Sequence, residues 1–178
     1  MYIPTLKVSL KAQLKVVPRR TFFNLAGKNE VQTFTVSKTM FCKPQLMFDV
    51  VSNVDEYGKF IPFVETSYIT SRDPSGNPSS AGIQIGWKNV DEKFDCKLHC
   101  VPHSKVIAES LTHTLFDKLH TEWNIAPSKN ENRCEVDLTL QYKFKNPMYN
   151  AISSMFSDQV TAIMIDAFEK RVQQLQKR

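Results

Sequence analysis

From residue 34 to residue 144 the chain repeatedly alternates apolar and polar side chains with a period of two. Phe34, Val36 and Met40 share one parity. Ala81, Ile83, Ile85 and Trp87 form a second set, and Phe94, Cys96, Leu98 and Cys100 a third. Leu119, Thr121, Trp123 and Ile125 follow, and the longest run is Cys134, Val136, Leu138, Leu140, Tyr142 and Phe144. Between these positions sit Gln84, Lys88, Asp95, Lys97, Glu122, Glu135, Asp137 and Lys143. A strand turns successive side chains to opposite faces, so the pattern predicts antiparallel strands with one apolar and one wet face. Residues 65–72 and 105–113 read as two further strands. The run Asp73 to Pro78 reads as a turn, which gives about seven strands in all.

Two segments break the alternation. Pro44 stands where a helix begins, and Leu46, Met47, Val50, Val51 and Val54 follow it; Asp55 to Phe60 reads as a second short helix that stops at Pro62. After Pro147, residues Tyr149, Ile152, Phe156, Val160, Ile163 and Ala167 recur at three- and four-residue steps. Met164, Phe168, Val172 and Leu175 widen that apolar face. The order is strand, two short helices, about six strands and one long helix: an α+β fold whose curved sheet can enclose a cavity under the terminal helix.

The formal net charge of +5 is unevenly placed. Residues 1–29 hold six basic side chains and no acid. The whole chain has 23 basic and 18 acidic residues, so the remainder has 17 and 18. Leu6, Leu10 and Leu14 recur at helical spacing, each followed by Lys7, Lys11 or Lys15. A basic, acid-free, amphipathic start predicts a mitochondrial targeting leader over 1–28, ahead of one domain over 29–178. A disordered basic tail is the alternative. The near-neutral remainder predicts no nucleic-acid partner, because phosphate neutralisation needs a basic surface. No apolar run approaches the roughly 18–20 residues of a membrane span.

The segment MFDVVSNVDEYGKFIPF (47–63) carries N-V-x-x-Y-x-x-F-x-P after the first helix. TLFDKLHTEWNI (114–125) places Leu, Phe and Leu ahead of Trp in the late strands, and RRTFF (19–23) and AFEKRVQQL (167–175) flank the body. Together these resemble the mitochondrial coenzyme Q-binding proteins, of START-like helix-grip fold within the polyketide cyclase-like superfamily. One departure is visible: where that family often has cysteine two residues after the motif proline, this chain has Val64.

The resemblance implies a non-catalytic carrier. It would bind coenzyme Q, a polyprenylated benzoquinone, and deliver or chaperone it for respiration and quinone biosynthesis. It implies a peripheral location on the matrix side of the inner membrane, with respiratory complexes or quinone-biosynthesis proteins as partners. The residues assigned to the ligand are Val50, Val54, Tyr57, Phe60, Phe63, Trp87, Phe94, Trp123, Phe156 and Ile163. The other reading of the same side chains is ordinary core. An aromatase/cyclase-type enzyme using the same cavity is the alternative function, and ribosome binding, as in some bacterial relatives, is a third.

The sequence offers little catalytic chemistry. Five glycines form no phosphate loop, and His99, His103, His113 and His120 show no metal-ligand spacing. His120 and Glu122 alternate away from Leu119, Thr121 and Trp123, toward water. Cys42, Cys96, Cys100 and Cys134 form no C-x-x-C pair and read as buried thiols. No metal site, no catalytic residue and no resident cofactor is expected, the quinone being cargo. The segment Tyr57 to Phe63 reads either as a plug of the core or as a lid over the cavity. In the lid reading Gly58 supplies unusual backbone angles, and Lys59 lies near lipid phosphates.

Overall fold

The computed structural model describes residues 30–87, 90–112, 115–146 and 157–177. The elements run β1 (Gln32–Met40), α1 (Pro44–Ser52), a 3-10 helix (Val54–Lys59), β2 (Val64–Arg72), β3 (Pro78–Trp87), β4 (Val90–Val101), β5 (Lys105–Ser110), β6 (Phe116–Pro127), β7 (Cys134–Phe144) and α2 (Ser157–Gln176). The seven strands make one antiparallel sheet in the order β1-β7-β6-β5-β4-β3-β2. This is the predicted architecture. The expected leader and the aromatic Phe156 lie outside the described residues, as does the side chain of Trp87.

Local chemistry explains the boundaries. Lys43 is extended ahead of Pro44, whose ring suits the first helical position. α1 stops at Asn53, whose N–H reaches the Asp49 carbonyl at 3.1 Å. Between β2 and β3 the Asp73 carboxylate accepts the N–H groups of Ser75 and Asn77, both at 2.9 Å, and Gly76 takes a φ of +86°.

Gly58 does not use the conformational freedom expected of it. A Cβ there would lie 3.1 Å from the Glu65 carbonyl oxygen, so its role is to let the 3-10 helix approach β2 closely. The left-handed backbone of this segment falls instead on Phe63, with a φ of +67°. Side chains rarely adopt that conformation. It is held on both sides: Gly86 donates to the Phe63 carbonyl at 3.0 Å, and Val64 to that of Ile61 at 3.3 Å.

The alternating residues point inward as expected. Leu98, Val106, Trp123, Val136 and Leu138 are buried against α1 and α2. One inward position is charged. Lys38 lies opposite Val136 in the register and continues the parity of Phe34, Val36 and Met40. Its ammonium reaches Asp166 and Glu169 of α2, each at 2.8 Å. The apolar stem lies along the sheet and the charged end exits at the rim.

Candidate ligand-binding site

α1 and the 3-10 helix cross the mouth of the sheet and carry the first group of assigned residues. Val50 and Val54 are buried in the core. Tyr57 and Phe60 turn from the 3-10 helix toward α2, and the Tyr57 hydroxyl donates to the Val51 carbonyl. Both rings meet Phe168 edge-on, with centroids at 5.3 Å for Tyr57 and 5.1 Å for Phe60. Trp123 of β6 lies on the same ring from the sheet side at 4.5 Å. Phe168 is 0% exposed and Trp123 3%. An aromatic hub therefore joins the sheet, the 3-10 helix and α2. Three of its four members were assigned from sequence; the central one, Phe168, was read only as part of the helix face.

Phe94 belongs to a second cluster. It packs edge-on against Phe116 at 5.5 Å, Phe116 stacks on Phe144 at 4.8 Å, and Tyr142 and Phe34 extend the group. Phe116 reaches this face because a bulge between Phe116 and Lys118 shifts its parity relative to Leu119. Ile83 and Ala108 pack against both clusters. Phe63 is half-buried against the first.

Ile163 requires a correction. It is 42% exposed and lies on the outer flank of α2. The stripe that faces the sheet is Thr161, Ile165, Phe168 and Val172, with Met164 and Leu175 beside it. At about 100° per residue, position 163 lies roughly 140° from position 168, so the three- and four-residue steps from Val160 to Ala167 traced a neighbouring stripe.

The polar groups near the interior are few and satisfied. Among the described residues no buried side-chain N or O atom lacks a hydrogen-bond partner. Burial pushes the Cys96 thiol up to about 12, aided by Asp95, and the Cys100 thiol up to about 11, aided by Asp73. Burial, then the neighbouring Cys100 and Cys96, raises the Tyr57 phenol above its usual range. Such thiols are protonated and poorly nucleophilic at neutral pH. Cys42 and Cys134, far apart in sequence, bring their Sγ atoms to 3.8 Å in the core, a juxtaposition no spacing rule indicated.

These groups share one pH signature. Each keeps its proton in the folded chain at a pH where the unfolded chain has released it. Above the unfolded pKa the unfolded state binds fewer protons, so stability falls as pH rises. Urea stability should hold to about pH 8.5 and then decline steeply toward pH ~11. The Cys96→Ala, Cys100→Ala double variant should show a shallower decline; an identical slope would mean that these thiols are not the source.

His120 and Glu122 lie on the opposite, outer face. His120 Nδ1 is 3.0 Å from Glu109, and Glu122 accepts from Lys105 at 2.9 Å, which with Asn124 holds its carboxyl below the usual range. Among the described residues no group of three metal-ligating side chains converges.

Residues 42–169 match the family described as polyketide cyclase/dehydrase and lipid transport. A mitochondrial coenzyme Q-binding protein of Eremothecium gossypii is 38% identical over 168 residues, spanning 90% of this chain and 82% of its own. The chain belongs to the coenzyme Q-binding protein family. Its fold is that of the wider START superfamily. A START superfamily protein from Mycobacterium smegmatis superposes with a TM-score of 0.72 at 16% identity, covering 80% of this chain and 98% of that one. A Streptomyces aromatase/cyclase gives 0.70 at 11%, covering 81% and 94%. At such identities the likeness concerns the fold alone. The segment N-V-x-x-Y-x-x-F-x-P that carried the resemblance corresponds to the 3-10 helix and its exit, and two of its residues, Tyr57 and Phe60, are members of the hub.

Proposed function

We propose that this chain is a non-catalytic carrier of coenzyme Q that holds the benzoquinone ring at the Phe168 hub. The observation that supports this is the meeting of Tyr57, Phe60, Trp123 and Phe168 beneath α2, with charged groups kept to the rim and the outer face. An apolar site with aromatic walls suits a flat ring and a prenyl tail. Each buried isoprene unit contributes about 3–4 kcal/mol before ordering costs, so a few units suffice and the rest of the tail can stay in the bilayer. Phe60 is half-buried at the edge of the hub, which makes it the ring that can swing aside while the sheet stays intact. The names of the relatives support a mitochondrial location. Among the described residues no helix is long and apolar enough to cross a membrane, consistent with peripheral attachment. In this reading the leader directs import, the domain sits on the matrix side of the inner membrane, and the cargo is delivered to respiratory complexes or quinone-biosynthesis proteins. Cytosolic retention of a reporter fused to residues 1–30 would refute the import role.

Trp123 gives the direct test. In a Trp87→Phe variant, a short-chain benzoquinone should quench most of the tryptophan emission, because electron-poor quinones quench indole on contact. Mass spectrometry of a solvent extract of the purified chain should find a prenylated quinone. Quinone binding by calorimetry without quenching would move the ring away from the hub. Turnover of a polyketide substrate, with no bound quinone, would favour the aromatase/cyclase reading.

A further inference from the structure

Beside the hub, on the outer flank of α2, runs a groove of about 360 Å³ between that helix and the 3-10 helix with its exit. Its apolar lining comes from Phe60, Pro62 and Ile163, and its charged lining from Lys59, Lys170 and Arg171. We propose that this groove is a docking surface for an anionic phospholipid bilayer. The occupant follows from three features that coincide there.

The first is exposed apolar surface in an unusual place. Ile163 is 42% exposed on a helix whose other large aliphatic side chains in the described stretch turn inward or sit half-buried, and Pro62 stands exposed across from it. An isolated exposed aliphatic residue is unremarkable; two facing each other across a groove, with the edge of Phe60 at its floor, offer a wedge for the acyl boundary.

The second is the sign of the charge. Three of the groove's lining residues are cations and one, Asp166, is an anion that already accepts from Lys38. Glu56 sits behind the groove and holds Lys59 at 2.6 Å and Arg171 at 3.0 Å. It orders those two cations at the rim without exhausting them, since an ammonium has three donors and a guanidinium five. Lys170 is exposed. Cations ringing an apolar wedge match the phosphates and acyl boundary of a bilayer better than an apolar protein partner.

The third is position. Phe60 lines the groove on one side and touches Phe168 on the other. A bilayer seated on the groove would therefore abut Phe60, so an apolar cargo could pass between bilayer and interior without crossing water once that ring swings aside. This last point rests on the carrier reading; the docking surface itself does not.

The test uses the full chain and vesicles of phosphatidylcholine with or without phosphatidylglycerol, in the absence of quinone. The anionic vesicles should bind more tightly, and added salt should weaken them. Each lysine near an anionic surface is worth about 1 kcal/mol, so Lys59→Gln with Lys170→Gln should lower the partition coefficient about thirty-fold. The pair Lys93→Gln and Lys97→Gln removes the same charge from the outer face of β4 and should lower it far less. The basic residues of positions 1–29 contribute equally to all variants. Equal losses from the two pairs, or no loss from the groove pair, would overturn the proposal and leave the groove to a protein partner. Quenching of Trp123 by detergent-solubilised quinone, measured on the groove pair, should be unchanged. That readout separates failure of the docking surface from failure of the carrier assignment.

Discussion

Truncation of Phe168 to alanine should lower unfolding free energy by about 3–5 kcal/mol and abolish quinone binding. Phe168 is 0% exposed, and three aromatic rings from two other elements lean on it. Removing the ring leaves a cavity that cannot collapse, because Trp123 is fixed in a central strand and Tyr57 is tied to the Val51 carbonyl. Edge-on aromatic contacts contribute beyond buried area, about 0.5–1.5 kcal/mol per pair, so even Phe168→Leu should cost measurably. Urea denaturation gives the stability, and Trp123 emission reports the local change, with a shift expected even under native conditions. A loss below about 1 kcal/mol for Phe168→Ala would mean that the hub is not close-packed. If Phe168→Ala is too unstable to assay, Phe168→Leu keeps most of the volume and lacks the ring face. It should then fold yet bind quinone more weakly.

The second large effect is expected at Lys38. Lys38→Glu would set a third carboxylate against Asp166 and Glu169, where the native ammonium now lies 2.8 Å from each. The Lys38 and Glu169 side chains are only 19% and 23% exposed, so water screens them incompletely, whereas Asp166 at 55% is well solvated. Reversal should therefore cost about 2–3 kcal/mol, between the loss of an exposed pair and the breaking of a buried one. Lys38→Met keeps the apolar stem and should cost about 1 kcal/mol. Burial pulls the Lys38 ammonium down, but hydrogen bonds and charge from Asp166 and Glu169 outweigh it, and the group titrates above its ordinary value. A raised ammonium stabilises the fold below its unfolded pKa and loses that contribution as pH climbs through the folded one, above about pH 10.5. Lys38→Met should lack this component of the alkaline decline. Equal stability of Lys38→Glu and Lys38→Met would show that the carboxylates swing into water and that the contact is dispensable.

The strands were legible because a half-buried antiparallel sheet writes its two faces directly into the residue parity. Leu138 and Trp123 could be placed inward, and His120 and Glu122 outward, from that parity alone. Lys38 is the exception, a cation on an apolar parity. Nothing local in the sequence explains it, because its partners lie on α2, more than a hundred residues away. The helix was harder. Its apolar face is broad, and only contact with the sheet sets the phase that buries Phe168 and exposes Ile163. Local backbone was harder still. Sequence pointed to Gly58 as the conformational oddity, but the strain sits on Phe63, where hydrogen bonds from both sides hold it. Parity gives direction along a strand and says nothing of distance between strands. For that reason Cys42 and Cys134 could not be paired from sequence.

The strand order has an entropic consequence. Every neighbouring pair from β2 to β7 is consecutive in the chain, so each can close through a local connection such as the Pro102–Ser104 turn. β1 alone pairs with a strand from the far end, Met40 against Cys134. With nothing else formed, closing that loop of ~90 residues costs on the order of 3 kcal/mol more than closing a three-residue turn. Once the hairpins have zipped, the intervening chain is already compact and most of this excess disappears. The β1–β7 seam is therefore cheapest to close last. It is also where α2 is fastened by Lys38, so strand pairing and helix docking share one late closure at the edge of the sheet.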